Sequence, residues 1–498
     1  MLLTRHVLAT RTTAIAASAL LVLLGPAGAP AFAAQAGTTT PAAPPAWTPP
    51  PVDMGALAAL PAENPRGTPD GTFTLGQQAC ITSGVGSTVL TDRPVPQTML
   101  NIDAAQQFST GKGVTVAEID TGVNPHPYLK TGNRLENGGD YILGDGTALH
   151  DCDGHGTIVA GIIAADTRDD HSHTAFTGVA PDAKILAIKH TSTHYTAQDG
   201  NQTRTAGDLQ TLAEAIRFAA DRPDVKVITM SVDQCVPANL AALTLASPFA
   251  KELQASLHYA VDVKDKVVIA AAGNLVSGQA DQNGQQATAC QNVPQNDNAD
   301  PNDVNQLQIP PVYSADVMSV ASVDPESGAP SPFTVWGPWV TVAAPGEQIT
   351  SIDPGAGGTG LSNRTIEGGQ QIALQGTSFA APYVAGVVAL VRARYPALSA
   401  RQVMDRIEDT AQHPSGRNGR NSQVGYGVID PVAALTAAIP GQNGVPGNTN
   451  RGLTAVLPHT VAKDWAPVRV ALIGTAAAAA LLLVTRFVVR SSRRRSST

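Results

Sequence analysis

The chain has 498 residues, of which 43% are hydrophobic, 14% charged and 4% aromatic. This length and apolar content exclude a wholly disordered chain and suffice for one large domain or two ordinary ones. The net charge is -8, and setting aside two arginines in the first 33 residues and five in the last 13 leaves 25 basic against 40 acidic residues. Nucleic acid is therefore a poor partner for the middle of the chain.

The first 33 residues are typical of a secretory signal peptide. Arg5 and Arg11 form a basic start, Ala14–Leu24 is apolar, and Ala31-Phe32-Ala33 is a small-x-small cleavage pattern. The alternative is a membrane anchor that is never removed. The apolar stretch is short for a span, so we expect cleavage after residue 33.

Residues 34–97 form a Pro-rich N-terminal extension. The segment contains runs such as TTTPAAPPAWTPPP and has no sustained period of 2 or 3.6 residues. Such composition predicts an extended segment rather than a packed domain. Cys80 is one possible point of attachment to the rest of the chain.

Between about residues 98 and 440, short β-branched apolar runs alternate with amphipathic stretches. Runs without polar alternation are typical of strands that are buried on both faces. The alternation predicts an α/β fold with a doubly wound, mainly parallel sheet. Two long polar insertions, Thr191–Gly207 and Gln279–Gln308, are of a length usual for functional or flexible loops. The predicted strands are Val114–Ile119, Lys184–Lys189, Val225–Met230, Val267–Ala272, Val317–Val323 and Trp339–Ala343, and the predicted helices include Asp208–Ala220 and Ser247–Val261.

Ligands of such sheets bind beyond the carboxyl ends of the strands, so candidate functional residues are sought at strand ends and at the helix starts that follow them. Asp120 ends the first buried run, although an Asp that merely opens the turn at Thr121-Gly122 is the simpler interpretation. His155 lies between two glycines at a predicted helix start, where a helix-capping role is an equally good interpretation.

Two further candidates come later in the chain. Ser378 opens a long helix of small residues that runs to about Tyr395, and an N-cap is the commonest reason for a serine there. Asn274 follows the strand at Val267–Ala272 through Gly273, and alone it would be an ordinary loop residue. Taken together, Asp, His and Ser are the parts of nucleophilic acyl transfer, and a side-chain amide can donate to a developing oxyanion.

The C-terminal part predicts a single membrane span. Residues 441–465 form a Gly/Pro/Asn-rich linker, 466–489 the predicted transmembrane helix, and 490–498 a basic tail. The arginines place the tail in the cytoplasm and the body of the chain outside the cell membrane. A buried Ala/Leu-rich core helix is the alternative, and its isolation behind the linker counts against it.

The four cysteines all fall in the predicted external part. They are Cys80, Cys152, Cys235 and Cys290, and none has CxxC spacing, so zinc and redox motifs are unsupported. Three disulfide pairings are open. No cofactor and no metal ligand set is predicted.

Four ordered motifs resemble the signatures of subtilisin-like serine proteases (subtilases). They are Asp120-Thr121-Gly122, Gly154-His155-Gly156-Thr157, Ala271-Ala272-Gly273-Asn274 and Gly376-Thr377-Ser378-Phe379-Ala380-Ala381-Pro382. By this resemblance Asp120 orients His155, His155 is the general base, Ser378 the nucleophile and Asn274 part of the oxyanion hole.

The resemblance also extends to the substrate strand. Met230-Ser231-Val232 is similar to the segment that pairs with substrate, so Ser231 and Val232 are implied substrate-binding residues. Asp233 stands where subtilisins usually have glycine, and Phe379 replaces a common methionine.

The order of segments is similar to that of mycosins, the membrane-anchored subtilases associated with type VII secretion. That resemblance implies the disulfides Cys80–Cys152 and Cys235–Cys290. Because residues 34–97 are too Pro-rich for the compact inhibitory propeptide of secreted subtilisins, we expect the extension to remain attached after folding. Purified protein that starts near residue 98 would contradict this expectation.

Three functions remain open at this point. The first is a membrane-anchored, extracytoplasmic serine endopeptidase that cleaves exported proteins or peptides. The second, implied by the same resemblance, is a structural component that stabilises a type VII secretion membrane complex, with catalysis secondary. The third is a general surface protease, which predicts broad cleavage of unfolded proteins.

Overall fold

Strands and helices alternate over residues 115–271, as the sequence pattern predicts, whereas the described elements between residues 306 and 373 are all strands. The computed structural model describes residues 49–60, 72–76, 79–84, 90–130, 133–144, 146–168, 174–199, 202–232, 234–275, 306–367, 370–416, 419–442 and 486. The described strands are β1 (Thr74–Leu75), β2 (Thr82–Gly84), β3 (Thr115–Asp120), β4 (Leu135–Asp140), β5 (Lys184–Lys189), β6 (Ser192–Asp199), β7 (Gln202–Ala206), β8 (Val225–Met230), β9 (Gln234–Pro237), β10 (Val267–Ala271), β11 (Gln306–Ile309), β12 (Met318–Val323), β13 (Val340–Pro345), β14 (Ser351–Ile352), β15 (Leu361–Ser362), β16 (Arg364–Glu367) and β17 (Gln370–Ala373).

The helices surround these strands. The described α-helices are α1 (Val95–Met99), α2 (Ile102–Gln106), α3 (His155–Ala164), α4 (Leu209–Asp221), α5 (Ala238–Leu245), α6 (Pro248–His258), α7 (Thr377–Arg394), α8 (Ala400–Thr410) and α9 (Pro431–Thr436). Short 3-10 helices span Met54–Ala59 and Pro127–Leu129, and a π-helical turn at Tyr259–Val263 continues α6.

A seven-stranded parallel sheet forms the centre, with strand order β13-β12-β10-β8-β3-β5-β4. Helices α3 and α7 pack against each other, as do α4 and α6, and α7 crosses β8, β10, β12 and β13. Every residue of β3, β10, β12 and β13 is buried, which is why these segments are mostly apolar and show no alternation of polar and apolar residues. The predicted α/β fold with a mainly parallel sheet is confirmed.

The six predicted strands of this sheet form within two residues of their expected bounds. The edge strand β4 is absent from the prediction because its sequence, LENGGD, has one apolar residue. Gly138 explains the composition: a Cβ there would lie 2.6 Å from the carbonyl oxygen of Ala187 in β5. Close approach of the two backbones, rather than side-chain burial, decides the residue at this position.

The described residues of the first polar insertion, Thr191–Gly207, form regular structure. It forms an antiparallel hairpin of β6 and β7, to which β1 of the extension adds a third strand. Strand β2 of the extension pairs with β16, and Cys80 forms a disulfide with Cys152. The extension is therefore attached at several points, whereas the composition predicted one.

Several predictions concern residues outside the described ranges. These are the signal peptide at 1–33, the transmembrane helix at 466–489 apart from Arg486, Cys290, and most of the insertion at Gln279–Gln308. Within the part of the chain that the structure describes, no helix is long and apolar enough to cross a membrane.

Candidate active site

The carboxyl end of β3, an inner strand of the sheet, carries Asp120, whose side chain is buried. Its Oδ1 accepts hydrogen bonds from Nδ1 of His155 at 2.7 Å and from the backbone N–H of Thr121 at 2.8 Å. A carboxylate only accepts, so Nδ1 of His155 carries the proton and Nε2 remains the basic nitrogen. Asp120 and His155, 35 residues apart in sequence, are thus brought together in the orientation that general-base chemistry needs.

Glycines place His155 at the first position of α3. Gly154 adopts φ 69°, in the left-handed region that favours glycine. Gly156 lies so close to the end of β3 that a Cβ there would be 2.2 Å from the carbonyl oxygen of Gly122. The histidine loop can therefore approach Asp120 only because these two positions lack side chains.

A second buried carboxylate, Asp151, holds the same loop. Its oxygens accept from the N–H of Gly154 at 2.7 Å, the N–H of Thr157 at 2.9 Å, and the hydroxyls of Thr157 and Thr121 at 2.6 and 2.8 Å. Burial raises the pKa of Asp151 to about 6, although these hydrogen bonds oppose the rise. Asp151 joins the Asp120 turn to the start of α3, a role that the sequence motifs did not predict.

The electrostatic surroundings of His155 are acidic. Burial alone lowers the pKa of its imidazole, but Asp120 and, more weakly, Asp151 and Asp153 outweigh burial and raise the pKa above its ordinary value. The ring is still 28% exposed, so a ligand or solvent can reach it.

Ser378 lies in the first turn of α7 and is 8% exposed. Its carbonyl oxygen accepts a hydrogen bond from Oγ of Ser231 at 3.2 Å, which ties the end of β8 to the start of α7. The ring of the next residue, Phe379, lies 5.1 Å from the ring of His155, centroid to centroid. The start of α7, which carries Ser378, thus lies beside the histidine loop.

Asn274 follows β10 and contacts the same helix start. Its Oδ1 accepts from the N–H of Thr377 at 2.9 Å. Because a backbone N–H can only donate, this bond fixes the amide orientation and leaves Nδ2 as the donor. A Cβ at Gly376 would lie 3.1 Å from Oγ of Ser378 and 3.7 Å from Nδ2 of Asn274. The Asn274 amide and the Ser378 hydroxyl therefore both lie close to Gly376.

The predicted substrate-binding residues follow β8. Ser231 makes the contact with Ser378 described above, and Val232 lines a cavity of about 500 Å³. Leu209, Leu212 and Phe249 are among the other lining residues, which makes part of the cavity wall apolar. Asp233 lies outside the described residues.

The disulfide between Cys80 and Cys152 holds the N-terminal extension next to the histidine loop. The N–H of Ile81 donates to the carbonyl oxygen of Cys152 at 3.0 Å, and a Cβ on Gly154 would lie 2.1 Å from Cδ1 of Ile81. Cys235 is also disulfide-bonded, while Cys290 lies outside the described residues.

One cluster in the described ranges has the side chains to hold a cation. His258, Asp262 and Asp316 place their ligand atoms within 4.8 Å of one another. The guanidinium of Arg401, however, forms ion pairs with both carboxylates. The cluster is therefore an ion-pair network.

Comparison with known proteins identifies the fold and its chemistry. The subtilase family model (Peptidase_S8) matches residues 111–427. Mycosin-3 of Mycobacterium tuberculosis is 40% identical over 93% of this chain and 98% of its own length. The chain belongs to the mycosins, within the subtilase family. It is a subtilisin-like serine protease.

Solved structures also match this chain. The structure of the serine protease MycP1, named as an essential component of the type VII (ESX-1) secretion system, matches at 37% identity and a TM-score of 0.66, covering 78% of this chain and all of that one. A chain of the intact ESX-5 inner membrane complex matches at 34% identity and a TM-score of 0.67, covering 89% of this chain and 99% of that one.

Proposed function

We propose that Asp120, His155 and Ser378 form the catalytic triad of this mycosin, which cleaves peptide bonds of exported proteins by an acyl-enzyme mechanism. The observation that carries the proposal is the 2.7 Å hydrogen bond between Nδ1 of His155 and Oδ1 of Asp120 at the end of β3. That bond selects the tautomer whose Nε2 can take a proton from a serine hydroxyl.

The reaction has two acyl-transfer steps. Nε2 of His155 accepts the hydroxyl proton of Ser378 as Oγ attacks the carbonyl carbon, and the same proton passes to the leaving amine. Water then repeats the sequence on the acyl-enzyme, which releases the carboxylate product and restores Ser378. The negative charge of Asp120 stabilises the imidazolium in both steps.

The developing oxyanion needs preorganised donors. Nδ2 of Asn274 is proposed as one of them and the backbone N–H of Ser378 as another. The bond from the N–H of Thr377 to Oδ1 supports the assignment, because it holds the amide with Nδ2 as the donor. Ser231 and Val232 are proposed to bind the substrate chain along the end of β8.

The site is proposed to lie outside the cell, on a domain held by the span at 466–489, with the tail at 490–498 in the cytoplasm. The apolar run with its basic flank supports the anchor. We further propose that this mycosin works with a type VII secretion complex, since similar proteins are named as such components.

Labelling with a fluorophosphonate probe tests the triad. The wild-type protein is expected to be labelled, and Ser378→Ala to remain unlabelled. Absence of labelling in folded wild-type protein, with its disulfides intact, would contradict an assembled and accessible triad.

A structural role in the secretion complex is the second candidate, and the match to a chain of the ESX-5 inner membrane complex favours it. Cells that carry Ser378→Ala are compared with cells that lack the protein. An intact complex only in the former would assign the main role to assembly rather than catalysis, whereas loss of the complex in both would link assembly to proteolysis.

A further inference from the structure

Glu118 is an acidic residue in the middle of a buried strand. It is 1% exposed within β3, and neither of its carboxyl oxygens has a hydrogen-bond partner among the described residues. An ionised carboxylate without a partner is costly to bury, so a carboxyl group in such surroundings is held in the neutral form. Glu118 therefore has a proton to donate.

The side chain lies beside Asp120. Because side chains alternate along a strand, residues 118 and 120 share one face of β3. Both contact the first turn of α3: a Cβ on Gly156 would lie 3.1 Å from Oε1 of Glu118 and 3.2 Å from Cβ of Asp120.

Asp120 has an oxygen that needs such a donor. Its Oδ1 receives His155 and the N–H of Thr121, whereas Oδ2 is buried and has no partner among the residues that the structure describes. A neutral acid on the same face would pair both unsatisfied groups at once, since a protonated carboxyl can donate and Oδ2 can only accept.

Strands β5 and β8 flank Glu118 in the sheet. Its register partners are Ala187 in β5 and Thr229 in β8, and Oγ1 of Thr229 is buried with no partner among the described residues. The charges that act on the carboxyl are Asp120 on the same strand and Asp151 in the loop before α3. Burial first, and then these two negative charges, raise the pKa of Glu118 well above its ordinary value.

We propose that Glu118 is a positioning residue of the triad, which donates a hydrogen bond from its neutral carboxyl to Oδ2 of Asp120 and keeps that carboxylate aligned with His155. The inference rests on the proposed function. A neutral Glu118 adds no negative charge to those of Asp120, Asp151 and Asp153 near the imidazole, and its hydrogen bond adds a constraint that the four family motifs do not contain.

The experiment measures the rate of fluorophosphonate labelling of the full-length protein in detergent across about pH 5 to 10, where the acid-side midpoint reports the basic nitrogen of His155. Glu118→Val is expected to slow labelling by roughly 10- to 100-fold, the worth of one hydrogen bond to a charged group. Glu118→Gln retains a neutral donor, and it is expected to restore the rate to within about threefold with an unchanged midpoint.

Thr229→Val serves as the matched control, because it removes a buried hydroxyl at the same level of the neighbouring strand. It is expected to leave both the rate and the midpoint unchanged. If it reproduced the loss seen with Glu118→Val, the proton of Glu118 would be donated to Thr229, and the assignment to Asp120 would be wrong.

Other outcomes would also overturn the inference. A midpoint that moves to lower pH by about one unit or more in Glu118→Gln would mean that Glu118 is ionised and acts on His155 by charge. The comparison of Glu118→Gln with the wild type shows whether Glu118 is neutral or ionised even if Glu118→Val fails to fold. Normal labelling of Glu118→Val would remove the positioning role alone, whereas an unlabelled wild type would overturn the proposed function as well.

Discussion

Opening the disulfide between Cys80 and Cys152 should destabilise the protein without inactivating it. The two cysteines are 72 residues apart in sequence. A cross-link over a loop of that length lowers the conformational entropy of the denatured chain, which raises its free energy by about 4 kcal/mol. Since measured effects often fall short of this estimate, the double variant Cys80→Ala/Cys152→Ala should lose about 2–4 kcal/mol of unfolding free energy. For a folded unit of about 400 residues, that corresponds to a fall of about 2–5 °C in the melting temperature.

Urea unfolding, followed by tryptophan fluorescence, measures this loss, and the buried Trp339 is a suitable probe. The slope of free energy against urea should rise, because a denatured chain without the cross-link exposes more surface. Either single replacement opens the same loop, so each should cost about as much as the double variant. The rate of fluorophosphonate labelling should stay within about threefold, because Asp151 holds the histidine loop through its own hydrogen bonds.

Two results would refute this reasoning. A loss below about 1 kcal/mol with an unchanged slope would mean that the cross-link does not restrict the denatured chain. Single replacements whose costs add up to that of the double would assign the effect to packing of the two side chains instead.

Three further outcomes are expected. Asn274→Ala should slow labelling by roughly 10²- to 10³-fold, and Asn274→Asp, which keeps an acceptor for the backbone but loses the donor, should not recover it. Gly156→Ala should cost more than about 2 kcal/mol of stability, since its Cβ would lie 2.2 Å from the carbonyl oxygen of Gly122, whereas Gly360→Ala, with nothing within 4 Å, should stay within about 0.5 kcal/mol. Labelling requires the neutral form of His155, and the acidic surroundings raise the pKa of its imidazole. The labelling rate should therefore reach half of its maximum above about pH 6.5. A midpoint below that pH would contradict the effect of the acidic surroundings on His155.

Much of the fold follows from local sequence. Val225–Met230 and Lys184–Lys189 form strands with the predicted bounds, because strands covered on both faces are mostly apolar and leave short apolar runs in the sequence. The edge strand Leu135–Asp140 and the hairpin at Ser192–Ala206 could not be predicted in this way. Strand β4 is stabilised by pairing with β5, which is distant in sequence, and the hairpin by pairing between two polar strands. Neither kind of pairing produces a periodic pattern of apolar residues in the sequence.

The sequence by itself determined the residue types of the candidate site and their order. Asp120, His155, Asn274 and Ser378 each stand at a strand end or helix start, and parallel strands bring such positions to one edge of the sheet. Only the tertiary structure decided which atoms meet there: Oδ1 of Asp120 with Nδ1 of His155, and Oδ1 of Asn274 with the N–H of Thr377.

The supporting residues were decided by tertiary structure as well. Asp151 lies four residues before His155 and Glu118 lies two residues before Asp120, but nothing in the local sequence gives either residue a role. The four hydrogen bonds of Asp151 join the Asp120 turn to helix α3, and Glu118 is confined by neighbouring strands and by Gly156. Burial determines the protonation and the partners of a carboxyl group, and burial is a property of the packed chain.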